Sequence, residues 1–235
     1  MEKKHLEISP VGKIMEQCTR STSLYDTVRS KKWVEYSTAG SIENAKTLIR
    51  KVDADTDVVL MTVHGGISSP DIVAAFATIS PISELVISSL TVGYPAMEML
   101  GMLNDLGKLD KVIFFLSEVI RQGNFNDNDS FKKKFVQICE SKGWESHEIN
   151  NHSKMILITL EDGRKFTIET SANFNKNPKM EQFRISADAD LFTFYRGIFD
   201  EIRVKTTIST IRRLDSYNCK SVKDLEMKSL SIDEI

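Results

Sequence analysis

The sequence predicts an α/β fold, a mixed sheet flanked by helices on both faces. Two observations carry that prediction. Three continuous apolar, β-branched runs, DVVLMTV (57–63), ELVISSL (84–90) and KVIFFLS (111–117), alternate with helix-patterned stretches. Strands that are apolar throughout are buried on both faces, and their alternation with helices gives a mainly parallel core. After residue 150 the rhythm changes to shorter strands joined by an Asp-Gly turn, which favours hairpins and therefore antiparallel pairing.

Taken in order, residues 1–37 are polar and weakly patterned; Ser21, Thr22 and Ser23 read as irregular chain, and Trp33 to Tyr36 as a short strand. SIENAKTLIRKV opens a helix at Ser41, with a loose capping box at Ser41/Asn44 and Ala45, Leu48 and Ile49 on its apolar face. Gly65 and Gly66 break the first buried strand, and Ser69-Pro70 starts the next helix with proline in its first turn. Pro95 opens a helix carrying Ala96, Leu100 and Leu103 on one face, and Gly107 ends it. The loop GNFNDND (123–129) leads into the helix SFKKKFVQICESKG, which Gly143 closes before the extended WESHEI (144–149). MILITL (155–160), RKFTIETS (164–171) and FRISAD (183–188) are the later strands, with Glu161-Asp162-Gly163 as a hairpin turn. A helix from about Ala189 presents Leu191, Phe194, Ile198 and Ile202 on one side, and a loosely attached helix or disordered tail ends the chain. No internal repeat duplicates a domain.

Composition excludes several classes of function. The 235 residues hold 31 Lys and Arg against 33 Asp and Glu, a formal net charge of −2, so bulk electrostatic coating of nucleic acid or membrane is excluded. No stretch approaches the roughly 18 apolar residues of a membrane span. MEKKHLEISP lacks the apolar core of a secretory signal. Cys18, Cys139 and Cys219 are odd in number, far apart and form no CxxC pair. The expectation is a cytoplasmic, reduced protein with no metal site and no cofactor.

One segment gathers chemistry: NHSKMILITLEDGRKFTIETSANFNKNPKMEQFRI, residues 151–185. His152 and Lys154 are two apart at the expected start of a strand, where the pleat puts both on one face. Ser171 and Asn173 repeat that spacing at the end of the neighbouring strand, and Glu181 begins the next. Antiparallel neighbours would bring an imidazole, an ammonium, a hydroxyl, an amide and a carboxylate to one rim. That set suits a phosphoryl group: lysine, serine and asparagine hold its oxygens, histidine attacks phosphorus, and a carboxylate orients the ring. Over residues 163–184, Arg164, Lys165, Lys176, Lys179 and Arg184 outnumber Glu169 and Glu181 for a local excess of +3, an expected attraction for a phosphate backbone.

HxK followed by TSANFNKNPKMEQFRI resembles the phospholipase D superfamily of HKD phosphodiesterases, in its single-motif bacterial nuclease branch, over roughly residues 57–204. The resemblance implies catalytic roles for His152, Lys154 and Glu181, with Ser171 and Asn173 binding phosphate. It implies a phosphohistidine intermediate without metal. It also implies that this phospholipase D-like half forms a two-fold homodimer, so that two HxK motifs share one site. Nucleic acid is the expected substrate, DNA in preference to RNA, with no stable membrane association, because no amphipathic membrane-docking segment is visible. The expected organisation is an N-terminal extension over 1–40, the phospholipase D-like domain over 41–204 and a C-terminal tail over 205–235. The chain departs from the family pattern at Thr159, where the motif aspartate stands, and at Thr170 in place of glycine. That departure leaves a second reading open: a catalytically weakened dimer that binds nucleic acid or protein.

Other motifs have plainer readings. His64 with Gly65-Gly66 sits where a helix N-terminus binds anions but lacks a phosphate-loop pattern, so a structural turn is expected. Cys139 falls among apolar helix residues and reads as core. Lys132–Lys134 read as a solvated helix face, able to join a nucleic-acid track only if it lies near the rim. His5 and His147 show no partner pattern.

Overall fold

The computed structural model describes residues 33–38, 42–62, 67–117, 128–175 and 180–206. Among them, β1 (Trp33–Thr38), β2 (Thr56–Thr62), β3 (Ile82–Ser89), β4 (Leu109–Ser117), β5 (Glu145–Ile149), β6 (Met155–Leu160), β7 (Lys165–Thr170) and β8 (Glu181–Ser186) form one sheet. Their spatial order is β1-β2-β8-β7-β6-β3-β4-β5. The helices are α1 (Ile42–Ile49), α2 (Ser69–Ile79), α3 (Tyr94–Asp105), α4 (Asn128–Lys142) and α5, over 189–206. From β2 onward the expected strands and helices fall within two residues of these bounds. The Ser41 cap, Ser21–Ser23, His5, His64, Cys18, Cys219 and the chain beyond 206 lie outside the described residues.

The sheet is mixed, as the change of rhythm implied. β1–β2, β3–β4 and β4–β5 pair in parallel, whereas β6 runs against β3 and β7, and β8 runs against β7 and β2. The carboxyl ends of β1 to β5 and β7 therefore share one rim with the amino ends of β6 and β8. In open α/β sheets that rim is where ligands bind.

Strand parity divides the interior. Leu85, Ile87, Val112, Phe114, Ile156 and Ile158 face a large cluster that also holds Leu48, Phe76, Leu100 and Phe135 of α1 to α4. The alternate residues Val86, Ile113, Phe115 and Leu157 face Phe192 and Phe199 of α5. Helices thus cover both faces. Each buried phenylalanine holds α5 down by about 1.5–3 kcal/mol. The ion pairs Arg196–Glu84 (2.9 Å) and Arg203–Glu145 (2.5 Å) add at most ~1 kcal/mol each at this exposure. The apolar contact dominates.

Two local features shape the connections, the first at the rim and the second at the opposite end of the sheet. The Ser68 N–H (2.9 Å) and hydroxyl (2.6 Å) both donate to Asp71, which starts α2 sharply. Gly163 adopts φ 86° in the β6–β7 turn, a left-handed geometry that glycine accepts without strain. No helix among the described residues is long and apolar enough to cross a membrane.

Candidate active site

The segment before β6 differs from the expected geometry. β6 begins at Met155, so His152 and Lys154 precede the strand and the pleat does not orient them. A turn does. The Asn151 side-chain oxygen accepts the Ser153 N–H (2.8 Å), an Asx turn with His152 at its apex. His152 is exposed there, and Lys154 folds back to donate to the His152 carbonyl at 3.3 Å. The Thr170 N–H donates to the Lys154 carbonyl (3.2 Å), which ties the lysine to the end of β7.

Ser171 follows β7 directly. Its N–H donates to the Gln182 carbonyl (3.1 Å), and its hydroxyl accepts the Gln182 N–H (3.0 Å) while donating to the Glu181 carboxylate. Glu181 begins β8, as expected, and is buried there. The Thr62 hydroxyl, at the end of β2, donates to the Glu181 carbonyl (3.2 Å) and accepts its N–H (3.1 Å). Lys154, Ser171 and Glu181 therefore stand on three adjacent strand ends, which are spaced about 4.8 Å apart.

Asn173 lies in the loop that continues from Ser171. Its carbonyl accepts the Ser69 hydroxyl at 3.2 Å, and its side-chain oxygen is buried with no hydrogen-bond partner among the described residues. The loop is pinned by Phe174, which is buried and bridges Val92. The Phe174 N–H donates to the Ser89 hydroxyl (2.9 Å), and its carbonyl accepts the Gly93 N–H (3.1 Å). A β-carbon on Gly93 would stand 3.0 Å from that of Asn175, so glycine allows the start of α3 to approach this loop.

Sequence reasoning missed the residues that hold this rim: Thr62, Ser69, Ser88, Ser89 and Asn151. A signal existed, since the runs DVVLMT, ELVISS and KVIFFLS all end in hydroxyl residues at strand ends otherwise apolar.

The expected charge excess is corrected by the geometry. Arg164 and Lys165 lie at the turn end of the β6–β7 hairpin, a strand length from the rim, and Arg164 pairs with Asp162 at 2.8 Å. Arg184 donates to the fully buried Asp57 (2.7 Å) and to Glu169 (3.3 Å), so two carboxylates already hold its charge. Lys176 and Lys179 lie outside the described residues. Of the Lys132–Lys134 run, Lys134 has its ammonium 5.3 Å from the centre of the Tyr94 ring, and Tyr94 follows Gly93 at the rim. Among the described residues no three His, Cys, Asp or Glu side chains gather as metal ligands.

Two further expectations concern residues away from the rim. Cys139 is buried, and burial, with Glu140 beside it, pushes its thiol up to about 12. His147, which showed no partner pattern, stacks on Phe115 (ring centres 5.1 Å apart) and contacts the Thr206 hydroxyl at 2.7 Å.

Comparison with solved structures finds similar chains. One is Nuc from Salmonella typhimurium, described as a phospholipase D family member; it is 16% identical with a TM-score of 0.45, covering 62% of this chain and 91% of that one. The other similar chains are enzymes by their descriptions. They include phosphatidylserine synthase from Haemophilus influenzae (15% identity, TM-score 0.44, 63% of this chain and 38% of that one). Yeast tyrosyl-DNA phosphodiesterase is another (11% identity, TM-score 0.33, 47% of this chain and 28% of that one). The chain thus spans well under half of the latter two. No protein-family model matches the chain, and no curated protein does. At such identities and TM-scores the reading of the site rests on this chain's own residues.

Proposed function

We propose that the protein is a metal-independent phosphodiesterase, a nuclease, working through a phosphohistidine at a site shared by two copies of the chain. The observation that carries this reading is the meeting of Lys154, Ser171 and Glu181 on three adjacent strand ends, with His152 on the turn beside them. An imidazole nitrogen of His152 attacks phosphorus, and the P–O bond to the leaving group breaks. His152 of a second copy gives its proton to the leaving oxygen. Water then attacks the phosphohistidine, the P–N bond breaks, and the second histidine takes the water's proton. Lys154, Ser171 and Asn173 stabilise the charge on the non-bridging oxygens.

Thr159 does not weigh against this chemistry. It lies five residues beyond Lys154 along β6, about 16 Å at strand rise, too far to touch the reacting phosphate. Lys134 beside the exposed Tyr94 ring supports a nucleic-acid strand as substrate, pairing a cation for phosphate with a surface for a base.

A nuclease assay in EDTA with wild type and His152→Ala tests the reading. Cleavage that persists in EDTA and vanishes in the variant supports it. A dimer by light scattering supports the shared site, and an active monomer at micromolar concentration overturns that part. A folded dimer that binds DNA or RNA without cutting either favours the second reading, a binding platform.

A further inference from the structure

We infer that Asn151 is a positioning residue, whose buried carboxamide sets where His152 stands; this rests on His152 being the nucleophile of the proposed reaction. Asn151 is 7% exposed. Its amide hydrogens go to the Ser88 hydroxyl (2.8 Å) and the Phe115 carbonyl (2.9 Å). Its oxygen accepts the Ser153 N–H and the Ser153 hydroxyl, both at 2.8 Å. The Ser88 and Ser153 hydroxyls also meet at 2.6 Å.

A carboxamide has two donor hydrogens and two acceptor lone pairs, and here all four are used. The network ties the turn around His152 to the ends of β3 and β4, two interior strands of the sheet. A buried polar group is costly unless satisfied, and a satisfied network holds one geometry. The identity of the residue follows from that count. Aspartate would still accept from Ser153 but could not donate to the Phe115 carbonyl. Alanine would release the turn altogether. Phosphoryl transfer to a histidine depends on in-line alignment, and misplacement by about 1 Å costs on the order of 100-fold in rate. Holding the apex of an exposed turn to that tolerance is the work of the buried amide beneath it.

Steady-state kinetics on Asn151→Asp, with Ser88→Ala as the milder variant, tests this. The expected result is a fall in kcat of about 30-fold or more for Asn151→Asp and about 5-fold for Ser88→Ala, with KM within about threefold of wild type. A folded Asn151→Asp that keeps kcat within twofold overturns the inference while leaving the phosphodiesterase reading intact. If Asn151→Asp does not fold, Ser88→Ala decides by the same kcat criterion. If wild type cuts no phosphodiester, the functional reading fails by itself, and amide hydrogen exchange then decides the positioning role. Exchange at Ser153, whose N–H the Asn151 oxygen accepts, accelerated about tenfold in Asn151→Ala and unchanged elsewhere supports it. Exchange that is unchanged, or faster everywhere, overturns it.

Discussion

The Ser171 hydroxyl donates its hydrogen to the Glu181 carboxylate, so the residue matched to phosphate binding is bonded to the one matched to orienting histidine. In the proposed reaction, substrate would draw on a hydroxyl that already has an acceptor, so Ser171 would act partly by holding Glu181.

Substitutions at this pair should be non-additive. Glu181→Gln keeps the shape and can still accept from Ser171, but removes the charge that stabilises an imidazolium; kcat should fall by about 100-fold or more. Ser171→Ala should cost about tenfold in kcat/KM, and the double variant should lose little beyond Glu181→Gln. Single-turnover kinetics on the four proteins checks this. Losses that multiply would show that the two residues act separately.

The strands and helices were legible because their apolar runs are long and punctuated by Gly, Pro and Asp-Gly. The order of the strands was not, since β8 inserts between β2 and β7 across more than a hundred residues of chain, and no local pattern encodes that pairing. Ser171 and Glu181 could be placed at strand ends from their spacing, whereas the turn that carries His152 and Lys154 could not be read as a turn. Asn151 could not be read either, because its role depends on Ser88 and Phe115, partners brought close only by the fold. The charge sum misled for the same reason: it counted Arg184 as available, whereas Asp57 on a distant strand holds it.

Arg184→Ala should destabilise the fold. Asp57 is fully buried, and removing its guanidinium leaves a carboxylate short of two hydrogen bonds. Breaking a buried pair from one side costs about 3–5 kcal/mol. Arg184 is 43% exposed, so water screens part of the pair and the cost falls somewhat below that range. Urea denaturation should show a loss of about 2–3 kcal/mol with little change in m. A loss below about 0.5 kcal/mol would mean that water already solvates Asp57.

Stability should fall as pH drops below about 6.5, the ordinary histidine value. Burial holds the His147 imidazole below that value, only partly opposed by Glu145, with the Arg203 charge acting in the same direction as burial. Lys111 also faces this cluster through Glu145, at 3.6 Å. The unfolded chain therefore takes up a proton at higher pH than the folded one. Stability is complete above the unfolded value, declines as pH falls toward the folded one, then levels. His147→Phe keeps the stack on Phe115 and should flatten this slope in thermal melts between pH 7.5 and 5.5. The Glu145 carboxyl, which burial alone would raise, is held below the usual carboxylate range by Arg203 and Lys111, with His147 adding to them. Its own loss of stability falls at more acid pH and should survive the substitution.

Lys134 and Tyr94 should separate electrostatic from stacking contributions to strand binding. Lys134→Ala should weaken binding to all sequences alike and reduce the slope of log K against log salt by about 1, the release of one counterion. Tyr94→Ala should leave that slope nearly unchanged and cost about 1–3 kcal/mol for a single strand whose base stacks on the ring. The two side chains already touch, with the ammonium 5.3 Å from the ring centre, so the double variant should differ from the sum of the singles. Fluorescence anisotropy with a short labelled single strand and its duplex, using His152→Ala to prevent cleavage, measures all of these. A duplex has no unstacked base to offer, so Tyr94→Ala should affect it little, whereas Lys134→Ala should weaken both ligands. Equal losses on single strand and duplex from Tyr94→Ala would remove stacking from the account and leave Lys134 as a surface charge alone.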